Sequence, residues 1–114
     1  GFTDCLREEL DIMNCGVSAT TVLPGGIKTP IIKSGQVDDN ITELGMDPSV
    51  YRQAFESRFI TKADKAARQI LRAVKSNERR ALIGPDAYVY DLMARLAPKA
   101  YQPLMTAFIR RIMK

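Results

Sequence analysis

Along positions 1–14 apolar residues return every three or four places: Phe2, Cys5, Leu6, Leu10 and Met13. Asp4, Arg7, Glu8 and Asp11 fill the other side, so the pattern predicts an amphipathic helix. Asn14 and Gly16 stop it. The period then changes. Positions 17–23, VSATTVL, are β-branched or small on both alternating faces. That predicts a strand covered on both sides, as in a parallel sheet, ended by Pro24. Positions 24–46 hold four glycines and two prolines and little periodicity. This predicts a long loop of functional use.

Asp47 as N-cap and Pro48 at the first helical position predict a short helix over 47–59. Thr61 and Asp64 form a variant capping box at the head of a longer helix that runs to about Ser76. Its apolar stripe is Ala66, Ala67, Ile70, Leu71 and Val74. RRALI at 79–83 predicts a second strand, closed by Gly84-Pro85. A helix follows over 86–97 and Pro98 breaks it. A last helix starts near Tyr101, with Tyr101, Leu104, Met105, Phe108, Ile109 and Ile112 on one side. Helices alternating with apolar strands predict an α/β fold with a parallel sheet. Two strands do not make a stable sheet, so the missing neighbours are expected before Gly1 or in another chain. The 114 residues alone are therefore expected to be poorly stable.

Composition narrows the picture. With 46% hydrophobic and 26% charged residues in 114, the chain has the means for one globular domain, not a disordered or collagen-like one. A net charge of +4 permits an anionic partner and demands none. No apolar run reaches the roughly 18 residues of a membrane span. No signal peptide is read, and the start at Gly1 inside a helical pattern suggests a piece of a longer protein. Cys5 and Cys15 flank one predicted helix, ~15 Å apart and beyond the ~7 Å reach of a disulfide, which suits a cytoplasmic setting. Without histidine the chain is not expected to hold zinc or a Ser-His-Asp triad.

The chemistry concentrates in VLPGGIKTPI at 22–31. Ligands of open α/β sheets bind at the carboxyl ends of strands. Two glycines there let backbone approach a ligand, and Thr29 offers a hydroxyl. A tight turn that merely carries the chain off the sheet explains the same residues.

The order GFTDCLREEL, then GVSATTVLPGGIKTPI, resembles the second half of the short-chain dehydrogenase/reductase family. In that family a helix of the sense G-F-x-x-x-L-R-x-E-L follows the catalytic Tyr-x-x-x-Lys, and a strand leads into P-G-x-[VI]-x-T. The resemblance covers residues 1–31 strongly and 32–97 in topology. It implies the C-terminal part of a Rossmann-like, doubly wound parallel sheet over 1–97, with a mobile substrate lid over 31–60. Residues 98–114 read as an amphipathic helical extension. It also implies NAD or NADP as cofactor, with Ile27 backbone on the carboxamide and Thr29 on the carboxamide or pyrophosphate. Pro24, Gly25 and Gly26 would lie against the nicotinamide ring. The first helix would pack in a homo-oligomer interface. The family's Gly-rich fingerprint, catalytic Ser and Tyr-x-x-x-Lys are absent from these residues. None of Tyr51, Tyr88, Tyr90 and Tyr101 has Lys four places on. No catalytic residue is therefore assigned here; Ser, Tyr and Lys are expected upstream.

Other features have plainer readings. The basic face at 62–75 reads as solvated, and no nucleic-acid partner is expected. Met46, Tyr51 and Phe55, with Phe59 beside them, pack a helix or wall an apolar alcohol or ketone substrate. Adjacent Glu8-Glu9 and Asp38-Asp39 are not read as acid/base pairs, and Cys5 reads as a small buried hydrophobe. The last helix, ending in Arg110, Arg111 and Lys114, packs on its own domain or a second copy, or lies on an anionic membrane surface, or covers an apolar substrate. The leading expectation is the C-terminal fragment of an NAD(P)-dependent oxidoreductase that transfers hydride with an alcohol or carbonyl substrate. The alternative is a non-catalytic binding or assembly module.

Overall fold

The computed structural model describes residues 1–36, 38–43 and 45–112; Lys114 lies outside them. The first helix, α1 (Phe2–Met13), ends where Asn14 turns left-handed at φ 48°. Its expected apolar stripe is largely uncovered: Phe2, Cys5 and Met13 are exposed, Leu6 and Leu10 half-buried. The side chain it buries is Arg7. Polar stitches dock the helix instead. The Thr21 hydroxyl donates to Asp4 Oδ1 at 2.5 Å and holds that carboxyl below its ordinary pKa.

The chain enters β1 (Thr21–Pro24), shorter than the expected 17–23. Residues 17–20 stay out of the ladder, and their polar groups go to other partners. Ala19 O accepts from Arg7, and the Thr20 hydroxyl donates to Glu78 O. Then come β2 (Ile27–Lys28), α2 (Ile31–Ser34), a single 3-10 turn at Asp39–Thr42, and α3 (Pro48–Glu56). Asp47 caps α3 as its sequence implies, accepting from Ser49 and Val50 N–H. The Ser49 hydroxyl, then the two amides, keep the Asp47 carboxyl below the usual range.

Next are β3 (Thr61–Lys62) and α4 (Ala63–Lys75). This corrects the expected capping box. Thr61 is 4% exposed inside β3, Lys62 takes the N-cap position with no side-chain bond, and Asp64 pairs with Arg68 at 2.8 Å. Thr61 N–H is needed by Gly26 O, and that pairing keeps the residue in strand geometry. The stripe on α4 also shifts: Ala66 and Ala73 are buried, but Leu71 and Val74 are 60% and 56% exposed. After β4 (Arg80–Ile83) the chain makes α5 (Pro85–Leu96) and α6 (Tyr101–Ile112).

The architecture is mixed α/β with parallel pairing, a partial Rossmann-like arrangement with extra C-terminal helices. β1 pairs β4 in parallel, Thr21 opposite Arg80 through Pro24 opposite Ile83. β2 pairs β3 in parallel, Ile27 opposite Thr61. The expected covering of β1 on both faces is only half met, since Thr21, Val22 and Leu23 are half-buried and Pro24 is exposed. The core lies between α4 and the sheets: Ala66, Ala73, Ala81 and Ile83, with Val22, Ile27 and Ile70 against it. Among the described residues, four of the five buried apolar ones are alanines, which bring helix and strand close but bury little area each. The radius of gyration is 17.4 Å, against about 13 Å for a compact domain of this length. As an isolated monomer the 114 residues are expected to lose structure gradually on heating. A cooperative, reversible melt by circular dichroism contradicts that.

Candidate functional site at the ends of the parallel strands

β1 and β4 both end in glycine turns on the same side of their pairing. Gly25 N–H donates to Ile83 O at 2.9 Å and continues the ladder one step past Pro24. Gly26 N–H donates to Asp86 Oδ2 at 2.5 Å. Gly26 O accepts from Thr61 N–H at 3.2 Å. Both polar groups of Gly26 are thus held inside the protein.

The two glycines have an internal reason to be there. A Cβ on Gly25 would fall within the Asp86 carboxylate. One on Gly26 would stand 2.7 Å from Phe59 Cδ1 and 3.1 Å from Arg58 O. Close packing of α5 and the end of α3 on the turn thus suffices for the Gly-Gly pair.

Ile27 differs. Because Gly26 O points at β3, Ile27 N–H, on the other side of the same trans peptide, points away from it. In a strand a residue's own N–H and C=O share a side, so the Ile27 carbonyl faces outward as well. A donor and an acceptor then stand together on the free edge of β2, the pattern a primary carboxamide matches. Two residues on, Thr29 is exposed. It lines an open cleft of about 350 Å³ with Lys28, Pro30, Lys33, Glu56 and Phe59. The cleft brings two ammonium groups, a hydroxyl and one carboxylate to the rim, so it suits an anionic or amide-bearing ligand.

Pro24, Gly25, Gly26, Ile27 and Thr29 thus follow one another around the strand end, and Thr29 opens on the cleft. The residues expected in a lid are elsewhere. Tyr51 and Phe55 pack ring to ring, centroids 4.5 Å apart and planes tilted by 37°. Phe55 lines a second, apolar slot with Ala54 of α3, Arg58 just after it, Tyr90 of α5, and Met105, Phe108, Ile109 and Ile112 of α6. α6 thus faces α3 and α5 across this slot, while Leu104 and Phe108 of its apolar face stay 67% and 54% exposed. Met46 is half-buried, and its N–H bonds Ile41 O at 3.3 Å. Met46 and Tyr51 line neither opening.

Sequence reasoning missed Asp86, Thr61, Lys33 and Glu56. Gly84-Pro85-Asp86 reads locally as a turn and a helix start, and its partner at Gly26 is 60 positions away. Among the described residues, no helix is long and apolar enough to cross a membrane.

No protein-family model and no solved structure matches the chain. Curated relatives do. The chain is 31% identical over 112 residues to "Putative oxidoreductase SadH" of Mycobacterium tuberculosis, covering 97% of this chain and 39% of the relative. It is 34% identical over 103 residues to "Probable oxidoreductase EphD" of Mycobacterium bovis, covering 87% of this chain and 17% of that relative. This chain is related, over nearly its whole length, to proteins described as oxidoreductases, and spans well under half of theirs.

Proposed function

We propose that these residues are the C-terminal part of an NAD(P)-dependent oxidoreductase of the short-chain dehydrogenase/reductase type, acting on an alcohol or carbonyl substrate. The observation that carries the reading is the bond from Thr61 N–H to Gly26 O, which leaves the N–H and C=O of Ile27 on the side of β2 away from β3, with Thr29 two residues on at the cleft. Relatives described as oxidoreductases support the reaction class. The donor set fits a nicotinamide: Ile27 pairs with the carboxamide, and Thr29 bonds the carboxamide or the adjoining phosphate. When bound, the cofactor supplies the hydride donor or acceptor. This chain's residues orient the ring and wall one side of the cleft. The proton is handled by Ser, Tyr and Lys outside these 114 residues. Whether NAD or NADP is taken is decided outside them too.

Titration of the full-length protein with NADH and NADPH, followed by nicotinamide fluorescence, tests this. Thr29→Val removes one hydrogen bond and is expected to weaken the preferred dinucleotide by about 0.5–1.5 kcal/mol, roughly 2- to 13-fold in Kd. An unchanged Kd counts against the placement of the loop. Binding of neither dinucleotide by the wild type removes the proposal.

A further inference from the structure

Among the described residues, Asp86 Oδ1 is the buried side-chain oxygen that has no hydrogen-bond partner. Its carboxylate sits in the first turn of α5, where the helix dipole favours negative charge. Glycines surround it. Oδ2 takes Gly26 N–H, the space a Gly25 Cβ would need is filled by the carboxylate itself, and Oδ1 lies 2.8 Å from where a Gly84 Cβ would be. One carboxylate therefore touches both turns that follow the paired strands, and bare backbone on each side is what admits it. An orphaned buried oxygen is costly, which makes the group a poor choice for stability alone.

We propose that Asp86 is the positioning residue for the nicotinamide-facing edge of the loop. It rests on the oxidoreductase reading above. Asp86 and Thr61 grip the two polar groups of Gly26 from opposite partners. Thr61 holds the plane of Gly26 O and Ile27 N–H, Asp86 holds the preceding plane through Gly26 N–H, and the two bonds together fix the Gly26 φ and ψ that aim Ile27 N–H outward. Without Asp86 the Gly25–Gly26 turn is free to rotate, and the carboxamide loses an oriented donor. The phosphates and the adenosine end do not depend on that peptide.

The test uses the full-length protein with Asp86→Ala, Asp86→Asn and Gly25→Ala. Two things are measured: amide hydrogen exchange at Gly25 and Gly26, and the Kd of NADH or NADPH beside that of the matching ADP-ribose, which lacks the nicotinamide. For Asp86→Ala, exchange at Gly26 is expected to rise about tenfold or more, with Gly25, bonded to Ile83 O, changing far less. The dinucleotide is expected to weaken about tenfold while ADP-ribose binding holds. Asp86→Asn keeps an acceptor for Gly26 N–H and is expected to restore both values. Gly25→Ala pushes the carboxylate off Gly26 and gives the alanine signature, so the result does not hang on the folding of one variant. Unchanged exchange at Gly26 overturns the clamp. Faster exchange with equal weakening of both ligands, or of neither, overturns the positioning role. A wild type that binds ADP-ribose and dinucleotide equally well sinks the carboxamide reading, and the exchange rates still report separately on the Asp86 grip.

Discussion

Gly84→Ala is expected to destabilise the full-length protein by about 3 kcal/mol or more. Two costs combine. Gly84 sits at φ 91°, ψ 152°, a region that only glycine occupies without strain, at about 1–3 kcal/mol for another residue. The new Cβ would also lie 2.6 Å from Thr61 Oγ1 and 2.8 Å from Asp86 Oδ1. Thr61 is 4% exposed and its N–H is bonded to Gly26, so it cannot swing aside cheaply. Overpacking of that kind costs about 1–3 kcal/mol more. The damage reaches the cleft, because Thr61 and Asp86 are the two groups that hold Gly26. Urea denaturation reads the stability and dinucleotide titration the function. A midpoint shift equivalent to less than about 1 kcal/mol shows that the turn relaxes, and removes the strain argument.

The sequence made the elements legible because each carries a local signal. Asp47-Pro48 announces α3, Asn14 ends α1, and the period change after Gly16 marks a strand. The long-range pairings left no such trace. β2 and β3 have two residues each, too few for any period, and they exist because Gly26 O meets Thr61 N–H across 35 positions. That bond is also why the capping pattern at Thr61 misled: a threonine three places before an acid is a helix start only if its backbone is free to be one. The loop at 24–29 was legible as a place, and its glycines as close approaches. From the residues alone either a ligand or a tight turn explained the close approach, and the neighbours the structure puts against these glycines are Asp86 and Phe59. The apolar stripe of α1 illustrates the opposite error. Periodicity identifies which residues lie together, and here the inward side is chosen by Arg7 and its polar partners.

Arg7→Ala is expected to cost about 2–4 kcal/mol and to loosen α1 from the sheet. The side chain is 6% exposed. Its Nη1 donates to Ala19 O and to Asn77 Oδ1, both at 2.9 Å, and Nε reaches Asp11 at 3.3 Å. It thereby joins three pieces distant in sequence: α1, the approach to β1, and the turn after α4, where Asn77 is left-handed at φ 53°. Truncation leaves Ala19 O and Asn77 Oδ1 without this donor at about 1–3 kcal/mol each, partly offset where water enters. The ion pair adds less, because Asp11 is about one-third exposed and also pairs with Arg79. The ranking of variants separates the causes. Arg7→Met keeps the packed stem and is expected to fall near alanine, because the carbonyl and amide oxygens are what lose their donor. Arg7→Lys offers one compact ammonium to partners that suit a planar fork, so it should fall between methionine and wild type. Asp11→Asn should change stability by well under about 1 kcal/mol. If methionine matched wild type, Arg7 would act through its hydrocarbon alone, and the polar account of how α1 is docked would be wrong.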